Sequence, residues 1–265
     1  MDTITVVVPC YNEEDALKSF YVEITKVTSE MKKVKFEIIF IDDGSKDKTL
    51  EIIKGYSKVD SKVKYISFSR NFGKEAAIYA GLKAASGEYV VIIDADLQHP
   101  PYLLESMYQA LKYEDYDCCA GKRIDRIGEN KLRNFLSHSF YKVIQYLTKM
   151  DMDDGAGDFR MMTRQMVDAI LELKEYNRYM KGMFSFVGFN TKWLEFHNVE
   201  RPAGKTKWSF KSLFSYAFKG IFSFSSTPIT MAGVIGGILI SIACFISLYS
   251  IFIHHLSYLT SLVLF

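Results

Sequence analysis

From Arg201 to Phe265 the sequence has no Asp or Glu, and after Lys219 no formally charged side chain at all. The overall balance of 33 Lys+Arg against 31 Asp+Glu, a net charge of +2, hides this asymmetry. The last 65 residues hold five of the basic residues (Arg201, Lys205, Lys207, Lys211, Lys219), which leaves 28 basic against 31 acidic side chains before them. The chain reads as a mildly acidic folded part, a short basic collar and an apolar tail. The folded part lacks the basic excess of a general nucleic-acid binder. The 49% hydrophobic content excludes intrinsic disorder. Cysteines are few and have no CxxC spacing: Cys10, Cys118, Cys119 and Cys244 read as reduced, mostly buried thiols of a cytosolic compartment. No signal-peptide pattern opens the sequence, since Met1-Asp2 leads directly into the strand-like Thr3-to-Val8 run.

Ile229 to Ile253 is a charge-free stretch of 25 residues. As a helix it would be about 37 Å long, enough for a hydrocarbon core of about 30 Å with some tilt. A soluble core helix seldom runs so far without a charge. The collar precedes the stretch, so the positive-inside rule places the preceding residues in the cytoplasm, at the cell membrane. His254-His255 predicts a polar break, and Leu256 to Phe265 starts a second apolar run too short to span. Trp208 to Phe224, aromatic with Lys211 and Lys219, reads as an interfacial amphipathic helix among membrane lipids or as a helix packed on the folded part. Residues 1–200 are thus expected to form one cytoplasmic domain, with halves 1–105 and 106–200. After it come a basic juxtamembrane segment (201–228), a transmembrane helix (229–253) and the incomplete run (256–265).

Within the first 200 residues strand-like and helix-like segments alternate. Strands are expected at Thr3–Val8, Phe36–Ile41, Val63–Phe68, Tyr89–Ile93 and Tyr116–Ala120. Helices are expected at Glu13–Met31, Lys48–Tyr56, Lys74–Ala85 and from Pro101 to Lys112. Alternation with near-continuous apolar strands predicts an α/β fold, a mostly parallel sheet covered by helices on both faces. Such sheets bind ligands beyond the carboxyl ends of their strands. Polar clusters occupy those ends: Pro9 to Glu14, Asp42 to Ser45, and Asp94 to Gln98.

Asp94-Ala95-Asp96 places two carboxylates at one strand end, where they repel unless a cation or donors neutralise them. Mg²⁺ or Mn²⁺ would do so, with Gln98 adding a neutral oxygen and phosphates or water completing the shell. His99 is a poor ligand for so hard a cation. Alone, Asp-x-Asp is equally an ordinary solvated loop. Asp42 and Asp43 could accept from a nucleobase imide or a ribose hydroxyl, with Gly44 allowing a tight turn. Arg70-Asn-Phe-Gly-Lys74 opens a helix, so its backbone N–H groups and Lys74 suit a phosphate or sugar, or simply form a surface loop. Arg123, Arg126 and Arg133 could grip a diphosphate or lipid phosphate or line a solvated helix face. Asp158, approached through glycines, reads as a base or an electrostatic stabiliser, or else as the partner of Arg160 or Arg164. Arg201, Lys205 and Lys207 suit phosphates or anionic headgroups.

Taken together, Val8-Pro-Cys-Tyr-Asn-Glu-Glu14, Ile41-Asp-Asp-Gly-Ser45, Arg70-Asn-Phe-Gly-Lys74, Asp94-Ala-Asp-Leu-Gln-His-Pro-Pro101, Gly157-Asp-Phe-Arg160 and Glu200-Arg-Pro-Ala-Gly-Lys-Thr-Lys207 resemble the family-2 glycosyltransferases of the GT-A fold. The likeness is to the polyprenyl-phosphate group, the dolichyl-phosphate mannose synthases and GtrB-type bactoprenyl glucosyltransferases. The resemblance implies metal-dependent, inverting transfer of a hexose from a nucleotide diphosphate sugar, UDP-glucose first, to a polyprenyl (undecaprenyl) phosphate. It implies nucleotide contacts from Pro9, Tyr11, Glu13 and Asp43, a metal held by Asp96 and Gln98 with Asp94, and phosphate contacts from Arg123, Arg201 and Lys207. Asp158 matches the residue assigned to catalysis. The resemblance leaves room for a homo-oligomer. One departure is the unfinished second apolar run, where such enzymes carry two complete spans. Two other readings stand beside this one: a transferase with a saccharide hydroxyl acceptor, and an inactive membrane-bound nucleotide-binding adaptor.

Overall fold

The computed structural model describes residues 1–124, 156–175, 178–197, 220 and 222–263. The chain divides into two compact units, Met1–Ser223 and Phe224–Phe265.

The first unit is built on a seven-stranded sheet. Its strands are β1 (Thr3–Cys10), β2 (Lys35–Asp42), β3 (Val63–Ser67), β4 (Tyr89–Ile92), β5 (Cys118–Arg123), β6 (Ala156–Thr163) and β7 (Thr191–Phe196). They lie in the order β3-β2-β1-β4-β6-β5-β7. The β1, β2, β3 and β4 strands pair in parallel, as do β5 and β7. The β6 strand runs antiparallel to both its neighbours. Among the described residues six helices accompany the sheet: α1 (Glu14–Glu30), α2 (Thr49–Val59), α3 (Lys74–Ala84), α4 (Leu103–Tyr113), α5 (Arg164–Glu172) and α6 (Met180–Phe186).

Alternation along the strands decides which helix covers which face. Ile4, Val6 and Val8 of β1, with Ile38 and Phe40 of β2, share one core with Leu17, Phe20 and Ile24 of α1 and with Leu104, Met107 and Leu111 of α4. The intervening residues Val7 and Ile41 face α3. There Gly81 lies so close that a Cβ would stand 2.3 Å from a Val7 methyl carbon and 2.8 Å from Ile41 Cδ1. The missing side chain lets α3 lie flush on the sheet and fixes the position of its first residue, Lys74. The parallel strands, the helices on both faces and the first four strand–helix pairs match expectation within a few residues.

Three strands depart from expectation, and β7 (Thr191–Phe196) is one the sequence reading did not place. The β5 strand starts two residues later and runs three residues further than its apolar stretch, because its polar end is paired by β7, with Lys122 opposite Glu195 and Arg123 opposite Phe196. The β6 strand is a glycine approach in sequence but a central strand in the fold. Its register sets Arg160 opposite Ile92. Asp158, two residues before Arg160, therefore comes level with Asp94, two residues after Ile92. Its reversed direction brings the beginning of β6 to the carboxyl edge of the parallel strands.

Cys10, Cys118 and Cys119 are free and buried. Burial pushes the Cys119 thiol up to about 12, so it behaves as a small apolar filler.

In the second unit, α7 (Thr227–Val263) is one continuous helix of 37 residues. Its backbone stays helical through His254 and His255, where the sequence predicts a break. Neither His nor the following Leu-Ser-Tyr-Leu run contains a helix breaker, so polarity alone does not interrupt it. Ser225 Oγ accepts the Thr227 N–H at 3.2 Å ahead of the helix. Ile229–Ile253 is long and apolar enough to cross a membrane, and this stretch is not buried within the protein, with Leu239 61% and Phe252 65% exposed.

Candidate active site

The carboxyl ends of β1, β2 and β4 and the beginning of β6 meet at one edge of the sheet. The loop after β1 is stitched to the loop after β2. Asn12, at φ 52°, donates its N–H to Ser45 Oγ at 3.0 Å, and its side-chain oxygen accepts the Lys46 N–H at 2.8 Å. Glu13 N–H donates to Thr49 Oγ1 at 2.8 Å, and Glu14 N–H to Asp47 Oδ2 at 3.2 Å. These bonds fix the loop that carries Pro9, Tyr11 and Glu13, Pro9 buried and the other two half-buried.

Asp42 and Asp43, both almost fully buried, organise the neighbouring loops. Asp42 accepts from Ser45 N–H and from Ser67 Oγ, each at 3.1 Å. Asp43 receives the Phe72 N–H at 2.7 Å and the Gly73 N–H at 2.9 Å, one on each oxygen. Burial pushes the Asp43 carboxyl up despite these donors. Gly44 has φ 68°, and a Cβ there would lie 2.4 Å from the Arg70 carbonyl carbon. The tight turn after β2 thus presses against the Arg70 loop and anchors the start of α3. The nucleotide contacts expected of Asp42 and Asp43 would have to be made from carboxylates that already hold this loop.

At the start of α3, Lys74 Nζ lies 2.8 Å from each Asp94 oxygen and 2.7 Å from Asp158 Oδ2. Lys74, read from the sequence as suited to a phosphate or a sugar, joins the end of β4 to the beginning of β6. Burial alone would lower its pKa, but Asp158 and Asp94 outweigh burial and raise it well above the usual lysine range. Burial alone would raise Asp158; Lys74, Lys181 and Arg160 hold it well below the usual carboxylate range. Asp158 Oδ1 is buried with no hydrogen-bond partner among the described residues. The alternative pairings read from the sequence are not those found. Arg160 donates to Gly157 O at 3.0 Å and stacks 3.8 Å from the Phe184 ring centre. Arg164 holds the backbone oxygens of Ala85 and Gly87 and lies 3.6 Å from Asp168.

His99 stacks on Phe159 with ring centres 5.1 Å apart, and its Nδ1 lies 3.7 Å from Asp94 Oδ2. Burial, reinforced by Lys74 against the pull of Asp94, lowers its pKa and favours the neutral ring. Asp96 receives the Gln98 N–H at 3.1 Å, across Leu97 at φ 57°. Among the described residues no three His, Cys, Asp or Glu side chains converge as a metal cage. Both Asp94 oxygens are engaged by Lys74, so Asp96 is the carboxylate of the pair not spent on that lysine. One carboxylate supplemented by substrate phosphates and water is an ordinary Mg²⁺ arrangement, and this donor set fits it. Arg123, half-buried at the end of β5, lies among the described residues. Arg126, Arg201, Lys205 and Lys207 lie outside them, as does the aromatic stretch up to Lys219. Lys181, at the start of α6, is the electrostatic neighbour of Asp158 that sequence reasoning missed. Only the fold brings it there.

The glycosyl transferase family 2 domain matches residues 5–171, which include Asp42, Asp43, Asp94, Asp96 and Asp158. The chain belongs to this family. It is 45% identical over 230 residues to the Bacillus subtilis protein CsbB, named as a glycosyltransferase, covering 86% of this chain and 68% of that one. It is 40% identical over 244 residues to the bactoprenol glucosyl transferase of Shigella phage SfV, covering 91% and 78%. The fold is also that of glucosyl-3-phosphoglycerate synthase from Mycobacterium tuberculosis, solved with Mn²⁺, UDP-glucose and phosphoglyceric acid. That likeness has a TM-score of 0.52 at 20% identity, over 83% of this chain and 77% of the other. The GT-A fold and glycosyltransferase activity follow from the family.

Proposed function

We propose that this glycosyltransferase moves a hexose, with inversion, from a nucleotide diphosphate sugar to a polyprenyl phosphate at the cytoplasmic face of the membrane. The observation that carries the reading is the meeting of Asp94, Asp158 and Lys74 at the carboxyl edge of the sheet, two residues from Asp96, in a chain that also carries an exposed apolar helix. The relatives named bactoprenol glucosyl transferases support the lipid acceptor and make UDP-glucose the first donor to test. The five basic residues ahead of α7 favour a cytoplasmic catalytic unit.

Pro9, Tyr11 and Glu13 line the nucleotide, and Asp42 and Asp43 shape its pocket by fixing the loops around it. Asp96 with Gln98 would hold Mg²⁺ or Mn²⁺, as the manganese in the mycobacterial enzyme encourages. Such a cation supplies positive charge to the departing diphosphate. An acceptor phosphate oxygen forms a bond to the anomeric carbon. The bond from that carbon to the diphosphate oxygen breaks, and its electron pair leaves with the diphosphate. A phosphate monoester has its second pKa near 6, so the acceptor is already anionic at pH 7 and needs no strong base. Asp158, held ionised, is suited to stabilise oxocarbenium character at the sugar rather than to abstract a proton. Arg123, Arg126, Arg201, Lys205 and Lys207 meet donor or acceptor phosphates.

The test uses the full chain in detergent, a short polyprenyl phosphate and radiolabelled UDP-glucose, UDP-GlcNAc and GDP-mannose, with and without Mn²⁺. Label should enter the organic phase with one donor and require the cation. Label confined to water-soluble saccharide would overturn the lipid acceptor, and absence of turnover with every donor would overturn the enzyme reading.

A further inference from the structure

Of Asp94, Asp96 and Asp158, where the end of β4 meets the start of β6, two are already matched to a cation of the protein's own. Lys74 Nζ touches both oxygens of Asp94 and one of Asp158. The lysine is held at its root. Asp43 ties down the two preceding N–H groups, the Gly44 turn abuts Arg70, and Gly81 seats α3 on Val7 and Ile41. Its side chain is 37% exposed, although burial acts on the ammonium itself.

Two buried polar atoms beside it are left incomplete. Asp158 Oδ1 has no hydrogen-bond partner among the described residues, and neither has Nδ1 of His99, a residue only 8% exposed. Structures seldom leave such atoms unmet unless something else completes them. The cluster is therefore electrically provided for before a ligand arrives, but short of contacts.

This bears on how a divalent cation can enter. An ammonium and a divalent cation cannot share Asp94 without strong repulsion at low local dielectric. While Lys74 stays in place, a free cation is left with Asp96 and water. A cation that arrives with diphosphate oxygens brings its own counter-charge, and the same oxygens offer Lys74 a new partner.

We propose that Lys74 is a built-in counter-cation: it holds Asp94 and Asp158 in place in the donor-free enzyme, excludes free divalent cations, and makes metal uptake conditional on nucleotide. Lys74 is a positioning residue in this role. The inference rests on the reading that Asp96 takes the metal.

The experiment is Mn²⁺ titration of the full chain in detergent, followed by electron paramagnetic resonance, with and without UDP. Wild type should take up Mn²⁺ well only with UDP. Lys74→Met should bind Mn²⁺ without UDP roughly ten- to a hundredfold more tightly than wild type without UDP, the usual scale for altering a metal ligand's immediate partner. Its transfer rate should fall through kcat more than through donor KM. Lys74→Arg keeps a cation and should retain the wild-type dependence on UDP. If Lys74→Met does not fold because two buried carboxylates lose their partner, the double variant Lys74→Met/Asp158→Asn removes both charges and should still gain Mn²⁺ affinity without UDP. A merely structural lysine would give weaker Mn²⁺ binding in every variant, which would overturn the proposal. If wild type takes up Mn²⁺ with UDP and neither neutral variant gains affinity without it, the counter-cation role alone falls. If wild type takes up no Mn²⁺ even with UDP, the metal reading falls and this inference with it.

Discussion

The same sheet carries a carboxylate cluster at each of its two edges, and they are finished to different degrees. At the amino edge Glu37 receives four donors: Thr5 Oγ1 at 2.7 Å, Lys64 Nζ at 2.5 Å, and the N–H and hydroxyl of Ser86 at 3.1 and 3.0 Å. Thr5 is itself satisfied by the Gly87 N–H at 2.9 Å. At the carboxyl edge Asp94 and Asp158 share one lysine, and Asp158 Oδ1 and His99 Nδ1 go without a hydrogen bond among the described residues. A saturated carboxylate joins strands. One left short keeps capacity for a ligand. The difference agrees with placing the proposed site at the carboxyl edge.

The sharpest way to break this contrast is to exchange the two roles by mutation. Asp158→Asn should lower kcat on the order of 10²- to 10³-fold, the usual loss when a group that stabilises transition-state charge is removed. Its melting temperature should fall less than that of Lys74→Met, because Lys74 loses Asp158 but keeps Asp94. Initial rates and thermal melts of the same preparation check both halves; a small rate loss with unchanged Mn²⁺ affinity would deny Asp158 a catalytic role. Glu37→Gln should do the reverse. It leaves the donors of a buried cluster unmatched and should cost about 3 kcal/mol of stability, with the rate per folded molecule unchanged. Denaturant unfolding measures this.

Gly44→Ala probes the link between the working edge and its support. A Cβ at φ 68° and 2.4 Å from the Arg70 backbone must push the Arg70 loop away. The expected cost is roughly 1–3 kcal/mol, with weaker donor binding because Lys74 moves with that loop. Acid gives the smallest effect. Burial would raise Glu37, but Lys64, Thr5 and Ser86 prevail and hold it below its usual value of 4.5. Its stabilisation is therefore complete above pH 4.5 and is lost as pH falls through the lower, folded value. Wild-type melting temperature should drop across that window more steeply than that of Glu37→Gln.

Much of this arrangement is legible in the sequence, and the limits have physical causes. The first four strands announce themselves as apolar β-branched runs, and their polar ends mark the edge where Asp43, Asp94 and Asp96 sit. The β6 strand does not, because Ala-Gly-Asp-Phe-Arg-Met-Met-Thr has neither a β-branched run nor clean alternation. It becomes a strand by filling the gap between β4 and β5, and only its reversed direction sets Asp158 beside Asp94. Lys74 carries no local sign of its partners, the nearer of which is 20 residues away. Helix-start chemistry points it to a phosphate or a sugar, and the tertiary fold adds two carboxylates. The continuous helix through His254 shows the converse, with helix propensity prevailing over a polar pair.

A crystal structure of the full chain with Mn²⁺ and UDP bears most directly on the role given to the carboxyl edge. Manganese should lie on Asp96, bridged to diphosphate oxygens, with Lys74 turned from Asp94 toward the nucleotide. UDP bound elsewhere, or bound at this edge without a cation near Asp96, would contradict it.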